Sequence, residues 1–343
     1  MIRLRFEPIH TLKDAQAQVQ RAIQVEFGTL PPYLYALYSI PPGENEAASS
    51  RIREIIHEEM IHMCLGCNIL NALGGDPLLA DAMVVPVYPG PLPGDIGSTS
   101  PKDPFLVQLL PFSPAAMAQA EQIEEPEDGA IVFPDLLKAA AAPPEFQTIG
   151  QFYNYVDLVL STLPAADWRP GRNQIDDAQF FPGELFAVDD YAGAHRAIER
   201  IISQGEGSKK DPLDFEGEIA HFYRFEEIAR NQVLTKANNP EGYGWTGSLG
   251  VDWSAVYPAI ANPSEHDFSG DPPAQAAQDE CDRAFTQMLQ ELQRGVRGES
   301  GRLGNAVRAM FDLRMAAGKA FRTPLRGSDK AAGPSFRYRP ELT

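Results

Sequence analysis

The segment from Ala47 to Leu73 repeats apolar residues at helical spacing and stops at Gly74-Gly75, with Pro77 beyond. Ile52, Ile55, Gly66, Ile69 and Leu73 trace one seam along this helix, and Glu59 and His62 stand in the middle of it. An unpaired carboxylate in an apolar seam costs several kcal/mol, so burial requires a cation, a hydrogen-bonded partner or a changed protonation state. Whatever this chain folds into, other elements must bring partners to that pair. The surrounding "HEEMIHM" is not the zinc-protease arrangement, because His57 and His62 are five residues apart and stand about 140° apart around a helix. Glu59-x-x-His62 shares one face; His57 and Glu58 face away from the seam and read as solvated or loosely paired groups.

A second copy, Glu218-x-x-His221, falls on a helix expected to start at Asp211-Pro212 and run to about Ala237, followed by Phe222, Phe225 and Ile228. Upstream, Val19, Ile23, Glu26 and Leu30 form a seam in which Glu26 again takes an apolar position. A bundle-core carboxylate metal site draws a Glu from each of two helices and a Glu-x-x-His from each of the other two. Three of those four contributions are visible, and Gln151, Glu199 and Glu206 compete for the last. Gln151 fits a capping box with Thr148, and Glu199 lies about 100° off the Ile198 to Ile202 stripe, whereas Glu206 continues that stripe. The candidate ligands are Glu26, Glu59, His62, Glu218 and His221, with Glu206 competing for the fourth contribution against the reading of "GEG" as a glycine helix stop with an incidental acid, and with Asp157 or Tyr153 as candidate partners for the imidazole N–H groups.

Charge and composition narrow the partners. A net charge of -18 and a pI near 4.7 argue against a phosphate-binding surface, so nucleic acid is not an expected partner. No apolar run approaches the ~20 residues of a membrane span, and the N-terminus has no apolar stretch before a small-residue cleavage site. No membrane partner and a cytoplasmic location are expected. Cys64, Cys67 and Cys281 are too few for a disulfide framework and read as small core residues in a reducing compartment.

Along the chain, a first helix follows the Thr11-x-x-Asp14 capping arrangement and continues through Pro31-Pro32 to Ile40, with freed carbonyls expected near Phe27 and Gly28. Residues 76–147, rich in Pro, Gly and acid, read as a long irregular crossover with short strands. Helical pattern returns at 148–163 and from 189 to Gly205, and residues 278–295 and 301–320 form a C-terminal helical hairpin around "RGESG", before an extended tail.

The blocks "VEFGTLPPYLYALYSI", "IREIIHEEMIHMCLGCNILNALGG", "TIGQFYNYV", "IISQGEG" and "AHFYRFEEI", with the tail "AGPSFRY", resemble a bacterial family of ferritin-like proteins. The same kind of domain occurs in iminophenylpyruvate dimer synthases of violacein-type pathways. The resemblance implies a mainly α fold: a ferritin-like four-helix bundle with long crossover insertions and an added C-terminal hairpin, as one domain over 1–343. It also implies one or two metal ions, with iron expected and manganese or zinc as alternatives, used in an oxidative reaction on a small-molecule substrate such as imino-acid coupling. The rival reading is a non-catalytic binding or assembly module, with or without a structural metal. Homo-oligomerisation is compatible with either.

Overall fold

The computed structural model describes residues 11–92, 105–126, 149–176, 178, 180–205, 211–239 and 242–343, together with residues 4–5 and 145–146. Residues Leu4–Arg5 (β1) and Glu145–Phe146 (β2) pair antiparallel. Helix α1 (Leu12–Tyr38) is capped by Thr11, whose side chain accepts from the Asp14 amide. It runs unbroken through Pro31 and Pro32. Pro32 has no N–H for the Gly28 carbonyl four residues back, and the Tyr88 hydroxyl donates to that carbonyl instead, at 2.6 Å. The freed carbonyl is thus satisfied by a side chain from the crossover.

Helix α2 (Glu46–Ala72) lies against α1. At Gly66 a Cβ would stand 2.9 Å from Ile23 Cγ1, so the two helices approach more closely there than an alanine permits without adjustment. Gly74, at φ +78, ends α2 where the sequence pattern places the stop. Helices α4 (Ile149–Ser161) and α5 (Tyr191–Gly205) form a second pair; α4 packs on α1 and α5 on α2, closing a four-helix bundle.

Two expectations about the linking segments are corrected. Residues 76–147 are not wholly irregular, because α3 (Pro114–Ile123) lies within them, capped by Ser113 with Pro114 in its first turn. The helix expected from Asp211 to Ala237 is α6, and it spans only His221–Arg230. Before it, the Asp214 carboxylate accepts from the Glu216 and Glu218 amides, and Gly217 takes φ +85, making a tight turn closed by Asp214 N–H to Glu218 O. After it, Asn231 adopts the left-handed conformation at φ 53, and Val233–Lys236 (β3) pairs with Tyr243–Thr246 (β4) as an antiparallel hairpin. Val233 and Thr235, both β-branched, suit a strand.

A short α7 (Glu265–Phe268) leads to α8 (Pro272–Val296) and α9 (Arg302–Ala320), the C-terminal helical pair, which packs through α8 on α2 and through α9 on α1. The extended tail crosses α8, where Ser335 and the Arg337 amide donate to Asp282 and Gln278 bonds the backbone at Gly333 and Ser335. Cys64, Cys67 and Cys281 are free and buried. No helix among the described residues is long and apolar enough to cross a membrane.

Candidate metal centre

Two groups of buried ligand-type side chains meet inside the bundle, and they share one member. Glu26, Glu59 and His62 form one group and Glu59, Glu124 and His221 the other, each with donor atoms within 4.8 Å of one another. The imidazoles lie nearly parallel, with ring centroids 5.6 Å apart. Glu59 Oε1 sits between them, 3.7 Å from His62 Nδ1 and 2.9 Å from His221 Nδ1. Glu26 Oε2 is 3.5 Å from His62 Nδ1, and Glu124 Oε2 is 3.7 Å from His221 Nδ1.

Each of the three carboxylates has one oxygen engaged by a hydroxyl and the other turned inward. Tyr153 on α4 donates to Glu26 Oε1 at 2.5 Å, and Tyr33 on α1 donates to Glu124 Oε1 at 2.5 Å. The Thr29 hydroxyl lies 2.7 Å from Glu59 Oε2 and 2.8 Å from the Glu26 carbonyl; its single proton goes to the stronger acceptor, the carboxylate. The imidazoles follow the same logic. His62 Nε2 lies 2.9 Å from Gln204 Oε1 and His221 Nε2 lies 2.8 Å from Glu58 Oε2, so the outer nitrogens donate and both Nδ1 atoms face the carboxylates. Arg224 Nη1 in turn holds Glu58 Oε1 at 2.7 Å.

Burial and charge set the protonation of this cluster. Burial and the neighbouring Glu59 charge raise the Glu26 carboxyl to about 7, and the same two causes raise Glu124. Burial would likewise raise Glu59, but the His221 and His62 imidazoles outweigh it and hold Glu59 ionised. Burial opposes charge on His62, yet the Glu26 and Glu59 carboxylates beside it push it to about 9; His221 is raised by Glu124, Glu58 and Glu59. Without metal, then, protons on the imidazoles balance the carboxylates. His221 Nδ1 is buried without a hydrogen-bond partner although Glu59 Oε1 is 2.9 Å away, because the ring N–H does not aim at it. An orphaned imidazole nitrogen among inward-facing oxygens fits a cation as the missing partner.

Of the residues expected from the sequence, Glu26, Glu59, His62 and His221 come together here. Glu218 does not: its side chain is 66% exposed and pairs with Arg224 at 3.3 Å, because it belongs to the Asp214 turn rather than to α6. Glu206 lies outside the described residues. Gly205 just before it lines the same space, where a Cβ would stand 3.7 Å from Glu124 Oε2. Glu58, expected to be a surface group, is buried behind His221. Asp157 pairs with His195 at 3.0 Å and Tyr153 serves Glu26 rather than an imidazole, so neither supports a histidine of the cluster. His57 pairs with Glu184 at 2.8 Å, and Glu199 is exposed beside His195.

The sequence reading missed Glu124, although a signal was present. Ser113-Pro114 is a helix start, and Met117, Ala120, Ile123 and Glu124 follow at helical spacing on one face. The acidic, Pro-containing "EEPEDG" that follows made the whole stretch read as loop.

The family model described as Ferritin-like matches residues 19–230, which takes in all five clustered residues. Dichlorochromopyrrolate synthase of Lentzea aerocolonigenes is 25% identical over 76% of this chain and 28% of its own length. The 2-imino-3-(indol-3-yl)propanoate dimerase of Chromobacterium violaceum is 25% identical over 67% of this chain and 24% of its own. The chain thus spans about a quarter of the length of these relatives. A solved ferritin-like protein of Caulobacter vibrioides superposes with a TM-score of 0.68, covering 97% of this chain and all of that one at 23% identity, which supports the fold alone.

Proposed function

Because this chain belongs to the ferritin-like family, we propose that it is a metal-dependent enzyme that carries out an oxidative reaction on a small organic molecule. The observation that carries the reading is Glu59: one buried carboxylate shared by two Glu/His groups, each of whose imidazoles has its outer nitrogen committed to a protein acceptor. Glu26, Glu59 and His62 would hold one ion and Glu59, Glu124 and His221 a second, with Glu206 a further candidate. Three carboxylates with two imidazoles favour iron; manganese and zinc are the other ions such donors accept. Iron, when bound, would supply redox chemistry at a site walled off from bulk water.

The chain's own part is to hold the donors in place. Thr29, Tyr33 and Tyr153 fix the outer carboxylate oxygens, so the inner ones need little reorganisation to meet a cation. The space beside the cluster is narrow and is walled by Val25, Ile149, Ile201 and Ile202, which keeps water scarce there. The substrate class follows the name of the Chromobacterium relative, an imino acid being the first to try.

The test is iron loading under anaerobic conditions of protein purified without chelator, followed by elemental analysis and exposure to oxygen. Retention of iron with an absorption change on adding oxygen supports the reading; less than about 0.1 equivalent of metal refutes it, and retained zinc with no such change assigns the site a structural role. The rival, a non-catalytic module, draws on the nearness of His62 Nδ1 to Glu26 and of His221 Nδ1 to Glu59, at 3.5 and 2.9 Å: imidazoles that hold protons there would neutralise the cluster with no metal at all.

A further inference from the structure

Across the α1–α2 pair from the metal centre lies a second space that the proposed function does not use. Phe27, Leu30, Ile56 and Met63 from that pair face Phe285, Met288, Leu292, Met310 and Leu313 from α8 and α9 around a cavity of about 130 Å³. Tyr38 brings the one hydroxyl to this lining, and that hydroxyl makes no hydrogen bond among the described residues. Four of the lining residues are methionines, whose flexible thioethers adapt to varied apolar shapes.

The chamber continues into a surface groove through Leu34, Tyr38, Ile56 and Met60, which line both. Arg53, Arg314 and Arg322 border the groove, and the guanidinium group of none of them forms an ion pair or a hydrogen bond among the described residues. The chain as a whole carries a net charge of -18, but residues 281–343, which supply Arg314 and Arg322, hold 12 Lys and Arg against 6 Asp and Glu, so this end of the groove is locally basic. Glu44 and Glu46 line the groove beside the turn between α1 and α2 without bonding these arginines. Gly318 leaves room for the Arg322 guanidinium, whose Nη1 would stand 3.3 Å from a Cβ there. Burial raises the Tyr38 hydroxyl to about 12 against the opposing charge of Arg314, which places that arginine near the throat. Phe311 and Met315, 63% and 69% exposed, extend the apolar surface outward from the same groove.

We propose that the chamber and groove form a binding site for an amphipathic carboxylic acid, its apolar body among Leu30, Met60, Met288 and Met310 and its carboxylate at the rim with Arg314, Arg322 and the Tyr38 hydroxyl. An apolar cavity with a few convergent polar groups at one end is the usual form of a small-molecule site, and guanidinium groups are the side chains that best match a carboxylate. The occupant is a free acid rather than a membrane, because the chamber is enclosed by α8 and α9 and takes one tail, whereas a bilayer surface would need a broad basic face. This site stands or falls independently of the metal centre.

The experiment is isothermal titration calorimetry of the whole chain with dodecanoate below its micelle concentration, beside dodecanol and dodecyltrimethylammonium. One dodecanoate per chain is expected, with the alcohol weaker and the cation weakest. Arg314→Glu with Arg322→Glu, both exposed positions, should weaken dodecanoate by about 10–100-fold and dodecanol by less than about twofold. Leu34→Trp, which narrows the throat, should abolish uptake of both, with circular dichroism reporting that the fold survives. Equal binding of all three amphiphiles, binding untouched by the arginine pair, or no saturable uptake of dodecanoate would overturn the proposal. So would co-sedimentation with phosphatidylglycerol vesicles that the arginine pair abolishes while dodecanoate fails to bind.

Discussion

Replacing Arg224 by methionine tests how the cluster is supported. Arg224 and Glu58 have side chains only 6% and 9% exposed and bond at 2.7 Å, and Glu58 passes that constraint on to His221 Nε2. The methionine variant leaves a buried carboxylate with His221 as its remaining partner; losing one member of such a pair costs about 3–5 kcal/mol. Arg224 also contacts Glu218, but that carboxylate is 66% exposed, so its share is about 0–1 kcal/mol. Urea unfolding of the metal-free protein should therefore show Arg224→Met losing about 3–5 kcal/mol, and Glu58→Met combined with it should not recover the parent's stability, because the buried His221 Nε2 then loses its carboxylate acceptor. In metal titrations the single variant should bind about 10–100-fold more weakly, since a freed Glu58 no longer orients the imidazole. A single variant within about 1 kcal/mol of the parent, or one whose metal affinity is unchanged, would refute the claim that this pair positions His221.

Glu218→Ala should keep its metal content and lie within about 0.5 kcal/mol of the parent in unfolding, because it alters an exposed turn. Glu124→Ala should lose one of two bound ions while Glu26→Ala loses the other, as read by metal analysis. Metal affinity should rise with pH: below about 7 both Glu26 and His62 carry protons that a cation must displace, and between about 7 and 9 His62 still does. His221, raised by Glu124, Glu58 and Glu59, carries a further proton to displace and extends the same trend, and proton release measured in weak buffer checks the sign. Gly66→Val should cost about 1–3 kcal/mol in urea unfolding, since its Cβ meets Ile23 across the α1–α2 contact.

The bundle was legible because long helices carry strong periodicity, and polar residues inside an apolar seam stand out against it. Glu26, Glu59 and His62 were found that way, and each lies on a helix of 27 residues. His221 was found through a spacing that the fold does not use: it opens a ten-residue helix, while Glu218 sits in the turn before. Local turn chemistry at Asp214 and Gly217 overrode the Asp-Pro start signal at 211 and 212. Glu124 escaped because a ten-residue helix inside a Pro-rich crossover offers little periodicity to weigh against composition. Glu58 escaped for a different reason. A helix buried on more than one face has no solvent side, and α6 covers the face that the seam analysis left open.

The shared position of Glu59 is the centre of the account, and native mass spectrometry of iron-loaded protein tests it directly. The parent should carry two ions per chain, and Glu59→Ala, with its fold intact by circular dichroism, should carry none, because both groups lose their common carboxylate. A Glu59→Ala protein that still holds two ions, or a parent that holds none, would contradict it.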